Sequence, residues 1–197
     1  MARRALEHGQ PDKVVRHLDI VRQGATRMET LIDGMLTLSR AGRQDFRPQK
    51  LSLEPLVTQA MRDAELDFPD VPVQWHLEHI GSVWGDPVLL QQVITTLVSN
   101  AVKFSSTRET ADIRITLEDR GREWAFSVQD HGVGFDPLYA GKLFGIFQRL
   151  HPQDVFPGAG VGLATVRRIV LKHGGRVFAE GVEQRGATFG FTLPMPA

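Results

Sequence analysis

The 197-residue chain carries 23 basic and 23 acidic side chains, so its formal net charge is zero and no basic field argues for nucleic acid or an anionic membrane. It holds no cysteine, which removes disulfides and thiolate metal sites and fits a reducing compartment. An apolar fraction of 42% with 23% charged residues is that of an ordinary globular chain, long enough for one full domain and a smaller attachment.

Apolar runs are interrupted within a few residues, so nothing spans a bilayer, and Met1 to His8 lacks the apolar core of a signal peptide. A cytoplasmic protein without membrane or nucleic-acid contact is expected. Residues 12–41 read as one long helix, opened by Pro11 in its first turn. Val14, Leu18, Val21, Ala25, Met28, Ile32 and Met35 recur at spacings of four and three, a seam suited to a bundle or coiled coil. The alternative is a lone amphipathic helix packed on its own domain. Arg3 to Glu7 would be the stub of a preceding antiparallel helix.

A linker is expected from Gly42 to Gln49, where glycine, Pro48 and mixed charges break the pattern. Leu51 and Leu53 suggest a short strand running into a helix at 54–66, and Val71, Val73, Trp75 and Leu77 alternate as a strand. Asp86 and Pro87 cap and open a helix whose apolar face carries Leu89, Leu90, Val93, Leu97 and Ala101. Ile113, Ile115 and Leu117 form a hairpin with Trp124, Phe126 and Val128 around a turn at Asp119-Arg120-Gly121. A helix over 161–173 stops at His173-Gly174-Gly175, and a last hairpin pairs Arg176–Ala179 with Ala187–Leu193. This pattern predicts an α/β two-layer sandwich, a mixed sheet covered on one face by helices and preceded by a long helix.

Four stretches carry chemistry, each at a strand–helix boundary: Ser99 to Phe104, Asp130 to Gly134, Phe144 to Phe147 and Gly158 to Leu163. The helix ending Asn100-Ala101-Val102-Lys103-Phe104 brings its polar residues within one turn of each other. Asn100 offers a hard amide oxygen that Mg²⁺ accepts, Lys103 a point charge for phosphate, and Phe104 a face for a purine. Asp130 ends an apolar strand, where a carboxylate can accept from the exocyclic amine of adenine and so select ATP over GTP. Gly132 and Gly134 let the backbone approach a base closely. Gly158, Gly160 and Gly162 lead into a helix whose first N–H groups can cradle phosphates. Taken singly, each stretch is also compatible with an amphipathic helix or an ordinary glycine turn. A dinucleotide fingerprint fails, because the residues before Gly158, Leu150 to Pro157, form a proline-bearing loop rather than a strand. Such a loop looks like a mobile lid over a nucleotide.

Together with Lys142 to His151, Gly174-Gly175-Arg176 and Gly186-Ala187-Thr188-Phe189, these motifs resemble the ATP-binding domain of sensor histidine kinases. That domain is shared with heat-shock-90 chaperones, type II topoisomerases and mismatch-repair ATPases, and the wording is closest to kinase modules of bacteriophytochrome-like sensors. Met28 to Leu36 resembles the second helix of their dimerisation hairpin. The resemblance implies a partial hairpin over 1–43, a linker over 44–50 and an ATP-binding catalytic domain over 51–197. It assigns Asn100 to Mg²⁺ and Lys103 and Arg149 to the phosphates and the catalytic work. Asp130 would take the adenine amine, with Gly134 beside it and Thr188 reaching the base through water. Gly158, Gly160 and Gly162 would hinge the lid, with Leu163 following, and Phe144 and Phe147 would anchor its near end. Partners so implied are a response-regulator receiver domain and a second copy of the chain through the hairpin.

Two departures qualify the match. A second asparagine usual in the family, one turn before Asn100, is here Thr96. ATP-hydrolysing relatives carry a glutamate at that turn to activate water, so hydrolysis is not the expected activity. The phosphoacceptor histidine, followed in the family by an acidic residue and then a proline, matches neither His8 nor His17. The expected function is transfer of the ATP γ-phosphoryl group to a histidine outside this sequence. The alternative is a nucleotide-binding docking module without catalysis.

Overall fold

A computed structural model describes residues 11–152 and 155–195. The expected stub at Arg3–Glu7 lies outside the described residues. Helix α1 spans Pro11–Arg43, with Asp12 in its first turn and Arg40 and Arg43 in its last, charges that complement the helix dipole. A short strand β1 (Gln49–Ser52) follows, then α2 (Glu54–Asp67), β2 (Val73–Glu78) and β3 (Ser82–Gly85). Helix α3 (Pro87–Ser105) leads to β4 (Ala111–Asp119) and β5 (Glu123–Asp130). A 3₁₀ turn (Pro137–Lys142), α4 (Gly162–Lys172), β6 (Val177–Val182) and β7 (Gly186–Pro194) complete the chain.

Five strands form one mixed sheet in the order β2-β4-β5-β7-β6, in which only β2 and β4 run parallel. The expected layering is present: helices α2, α3 and α4 cover one face. β1 and β3 pair separately and antiparallel, Leu51 opposite Val83. β3 was not foreseen, because four residues between two turns leave too short a period to read. The linker is also shorter than expected: α1 runs on past Gly42 to Arg43, and Gln49 and Lys50 already belong to β1.

Helix α3 is the centre of the core. Leu89, Leu90, Val93, Ile94, Leu97, Val98, Ala101 and Val102 are buried along it, facing Ile113, Ile115, Phe126, Val128 and Phe191 of the sheet. Each fully buried aliphatic side chain of this kind contributes about 1.5–3 kcal/mol. Alternation along β4 and β5 supplies the opposing face, since residues i and i+2 of a strand share a side.

The seam of α1 faces solvent: Leu18, Val21, Met28, Ile32 and Met35 are all more than half exposed. It does not pack on its own domain. The helix touches the domain along another side, where Gly34 meets Val161 at the start of α4; a Cβ on Gly34 would lie 2.7 Å from Val161 Cγ2. Among the described residues no helix is long and apolar enough to cross a membrane.

Asp86 ties three parts together. Its Oδ1 accepts from the N–H groups of Val88 (3.0 Å) and Leu89 (3.1 Å), capping α3, and its Oδ2 accepts from Arg47 N–H (2.9 Å) in the linker. Its own N–H donates to His173 Nε2 at 3.0 Å, while His173 Nδ1 bonds the Ile169 carbonyl. Burial opposes ionisation of Asp86, but the three backbone donors outweigh it and hold its carboxyl below the usual range. Burial likewise lowers His173 and favours its neutral form, as an Nε2 acceptor requires. Replacing Asp86 by Ala removes the cap and leaves the Arg47 N–H unpaired, so urea unfolding should show a loss of about 2 kcal/mol. Asp86→Asn, which keeps one oxygen acceptor, should lose less.

Candidate functional site

A cleft of about 320 Å³ opens between α3, the end of β5, the loop after the 3₁₀ turn and the start of α4. Its floor is Asp130. This residue ends the central strand of the sheet, paired with Ile113 on one side and Ala187 on the other, and only 3% of it is exposed. The apolar alternation that buries Phe126 and Val128 carries Asp130 onto the same inward face, two residues further on. Burial drives its pKa up to about 6, against the lowering effect of N–H donors from Gly132 and Ala187 and the nearby His131. Gly132 N–H donates to Oδ1 at 2.9 Å, which fixes the carboxylate plane.

Asn100, Lys103 and Phe104 all line the same cleft from the flank of α3. The Asn100 amide has no protein hydrogen bond among the described residues. Thr96, one turn earlier, also lines the cleft, but its hydroxyl donates to the Gln92 carbonyl at 2.8 Å and its methyl packs towards Gly162. Lys103 lies 4.7 Å from the centroid of the Phe104 ring. Burial, with Arg149 nearby, lowers its pKa. Phe104 packs with His151 and Phe156 at centroid distances of 5.4 and 5.1 Å.

The lid folds onto these cations. Arg149 donates to the Phe156 carbonyl at 2.7 Å and to the Gly158 carbonyl, while Lys103 Nζ lies 3.5 Å from the Pro157 carbonyl. Both positive groups are therefore held by backbone oxygens of the kind a phosphate chain could replace. The lid's two ends meet where Phe147 N–H donates to Gly160 O at 2.8 Å. Gly160 has φ +69°, and a Cβ there would come within 2.9 Å of the Gln148 carbonyl, so glycine is required at this hinge. Gly158, Gly160, Gly162 and Leu163 line the cleft.

Three expected site residues stand elsewhere. Thr188 pairs with Gln129 and Glu180 on the neighbouring strands and does not line the cleft; Ala187 and Phe189 do. Strand alternation is the reason, because a residue between two inward positions points outward. The burial of Phe189 and Phe191 in the same strand carried that signal. Phe147 is 44% exposed and also lies off the cleft, with φ +61°. Phe144 is the one of the two expected anchors that is buried at the core, edge-on to Phe189 at 6.4 Å. Gly132 does not line the cleft but backs it: a Cβ there would lie 2.2 Å from the Phe104 carbonyl. Gly134 does line it, and its φ of +61° allows the turn after Asp130.

The sequence reading missed Gly34 and Thr37, through which α1 forms one wall, as well as Gln92 and Phe156. A glycine inside a helical pattern was the one available sign of the first. Among the described residues Asp130 is the sole acidic side chain lining the cleft, and no three His, Asp or Glu side chains cluster as a metal cage.

Comparison with known proteins agrees with this geometry. The family described as histidine kinase-, DNA gyrase B-, and HSP90-like ATPase matches residues 85–197. Cyanobacterial phytochrome A of a Nostoc species is 35% identical over 173 residues, covering 88% of this chain and 22% of that protein. The methanogenesis regulatory histidine kinase FilI of Methanothrix harundinacea is 34% identical over 186 residues, covering 94% of this chain and 21% of its own. The chain thus spans about a fifth of the length of these relatives. Full-length ShkA, solved in complex with AMPPNP, superposes with a TM-score of 0.68 at 26% identity, over 94% of this chain and 40% of that one. Mycobacterial sensor histidine kinase MprB shares the fold, with a TM-score of 0.65 at 22% identity over 77% of this chain and all of its own. A buried strand-end carboxylate, a flanking Asn-Lys-Phe helix and a glycine-hinged lid thus converge with these matches: the chain belongs to the histidine kinase-, DNA gyrase B- and HSP90-like ATPase family, alongside sensor histidine kinases.

Proposed function

We propose that this chain binds ATP with Mg²⁺ and presents its γ-phosphoryl group to a histidine on a dimerisation hairpin, for onward transfer to a response-regulator receiver domain. The observation that carries the reading is the buried Asp130 carboxylate on the floor of a cleft whose other side holds Lys103 and Arg149. One end suits a base with an exocyclic amine and the other suits a phosphate chain. Phe104 supplies an aromatic wall between them.

The metal fits on donor chemistry. Mg²⁺ keeps several waters and takes few protein ligands, and Asn100 offers one uncommitted amide oxygen at the cleft. Thr96 offers less than a second asparagine would, since its hydroxyl is engaged with Gln92. When bound, the metal would neutralise phosphate charge. Lys103 and Arg149 would exchange the lid carbonyls for phosphate oxygens, orienting the terminal group and stabilising charge that spreads over it. The bond from the γ-phosphorus to the β–γ bridging oxygen breaks, a phosphorus–nitrogen bond forms at the imidazole, ADP leaves and the ring N–H proton is released. The protein's part is positioning and water exclusion rather than covalent chemistry.

Hydrolysis as the main activity is disfavoured, because no glutamate lines the cleft among the described residues and Asp130 sits at the base end. A docking module without catalysis is the second reading, favoured by the commitment of the Thr96 hydroxyl to its own helix. Incubation with ATP, Mg²⁺ and an added hairpin bearing an acceptor histidine separates the three. Phosphohistidine formation supports the kinase, steady phosphate release marks an ATPase, and binding with neither marks the docking module.

Calorimetric titration with a non-hydrolysable ATP analogue should show binding that Asp130→Asn weakens about tenfold or more, the scale of a hydrogen bond to a charged group. No binding by the wild type sinks the reading. Ionised Asp130 is the better acceptor for an amine, so wild-type affinity should fall as the pH drops through about 6, a step absent from Asp130→Asn.

Unfolding should show the opposite trend. Asp130 ionises at 3.8 in the open chain but at about 6 in the folded one. Between these values the folded state holds a proton that the unfolded state has lost, so stability falls as pH rises, by about 3 kcal/mol once above pH 6. Asp130→Asn should therefore stabilise the nucleotide-free protein by ~1–3 kcal/mol at about pH 7 in urea unfolding, with the gain gone near pH 4.

A further inference from the structure

The loop over residues 131–134 is His-Gly-Val-Gly, with the half-buried Val133 as its one apolar side chain. Its order comes from backbone contacts: Val133 N–H donates to Phe104 O at 3.1 Å, and Gln184 N–H donates to Val133 O at 2.7 Å. The Gly134 carbonyl bonds His151 Nε2 at 2.9 Å, and the carbonyls of His131 and Gly132 converge on one cation. Arg108 follows α3 in the turn before β4, its N–H bonded to Ser105 O at 2.9 Å. Its Nε donates to His131 O at 3.2 Å, and its Nη2 donates to Gly132 O at 2.9 Å and to Gln184 O at 2.8 Å. One guanidinium thus links the end of α3, the loop after β5 and the turn between β6 and β7. Only arginine, with five donors in a rigid planar fork, can serve three carbonyls in this way; a lysine ammonium is a single point with a flexible stem.

The consequence for the cleft runs through Gly132. Its carbonyl is held by Arg108, and its N–H holds Oδ1 of Asp130 at 2.9 Å. Moving the loop outward would free that N–H and let the carboxylate turn. On the reading of the cleft as an adenine nucleotide site, we propose that Arg108 is the positioning residue for base recognition: by gathering the carbonyls of His131, Gly132 and Gln184 it holds the Gly132 N–H against Asp130 and so fixes the carboxylate that selects adenine over guanine. Arg108 does not line the cleft, and it acts only through the loop.

Other charges face Asp130 as well. His131 adjoins it, Asp112 of β4 lies 3.9 Å from His131 Nδ1, and Asp112 also pairs with His76 of β2 at 3.1 Å. Lys103, Arg149 and His151 line the same cleft from α3 and the lid. Arg108 reaches His131 only at its backbone carbonyl, and the guanidinium bonds none of these side chains among the described residues, so its removal addresses the loop.

The test compares wild type, Arg108→Met and Arg108→Lys by calorimetry with non-hydrolysable ATP and GTP analogues, each with Mg²⁺, across pH. Arg108→Met should weaken the adenine nucleotide about tenfold, with the guanine nucleotide changing less than about twofold, so that the preference between them collapses. Arg108→Lys, which can restore a single donor, should fall between. The pH midpoint of adenine binding should also rise in Arg108→Met, because Asp130 loses an oriented N–H donor. A merely structural role would lower the unfolding temperature and leave both the base preference and the pH midpoint in place. That result, or adenine binding within twofold of wild type, overturns the assignment while leaving the nucleotide site intact. Wild type that binds neither analogue overturns the nucleotide reading itself, and this assignment with it.

Discussion

The burial of α3 against the central strands is the constraint from which the rest of the molecule follows. Its apolar face is continuous from Leu89 to Val102, and that face is taken from water by the inward residues of β4, β5 and β7 together with the flanking helices α2 and α4. Once it is seated, helical geometry leaves Asn100, Lys103 and Phe104 on the flank beside the sheet's open end. The same inward alternation that meets α3 brings Asp130 to the end of β5. Core and cleft are therefore one packing solution: the helix that fills the core also carries the polar wall of the site.

The energetics at that junction pull in opposite directions. An ionised carboxylate at 3% exposure is costly, and two backbone donors and a neighbouring histidine compensate only in part, which is why Asp130 ionises near 6. A fully satisfied group would have no capacity left for a ligand. Lys103 and Arg149 show a complementary arrangement, their charges being met by the lid carbonyls of Pro157, Phe156 and Gly158. Stability is sacrificed at the floor of the cleft and deferred at its rim, a distribution typical of sites built for binding.

Connections beyond the cleft rest on single polar groups acting on backbone. Asp86 and His173 hold the linker at Arg47 to the start of α3 and the end of α4. Arg108 holds the loop after β5 to the end of α3. In both places a side chain near a helix end satisfies backbone groups of a short loop. Helix α1 adds a contact of another kind, Gly34 against Val161, so that the residue preceding the lid's last glycine touches a helix whose apolar seam is otherwise open to solvent.

Much of this was legible in the chain. Periodicity located α1, α3 and α4 and both hairpins; the Asp86-Pro87 pair marked the start of α3; and Asn100, Lys103, Asp130, Arg149 and the lid glycines were identifiable as one group. Those features are local, since helix and strand periods, caps and glycine turns are written in neighbouring residues. Thr188 and Phe147 were misplaced because a motif names residues without stating which side of a strand or loop they occupy, and that is settled by what the neighbours bury. Thr37, Phe156 and the carbonyls gathered by Arg108 left no local sign, and Gly34 only that of a glycine inside a helix, because each depends on an approach between segments far apart in sequence. By itself the sequence determined the elements, their order and the chemical groups available; the tertiary structure decided which of those groups face one another, because only packing across the chain sets distances between distant residues.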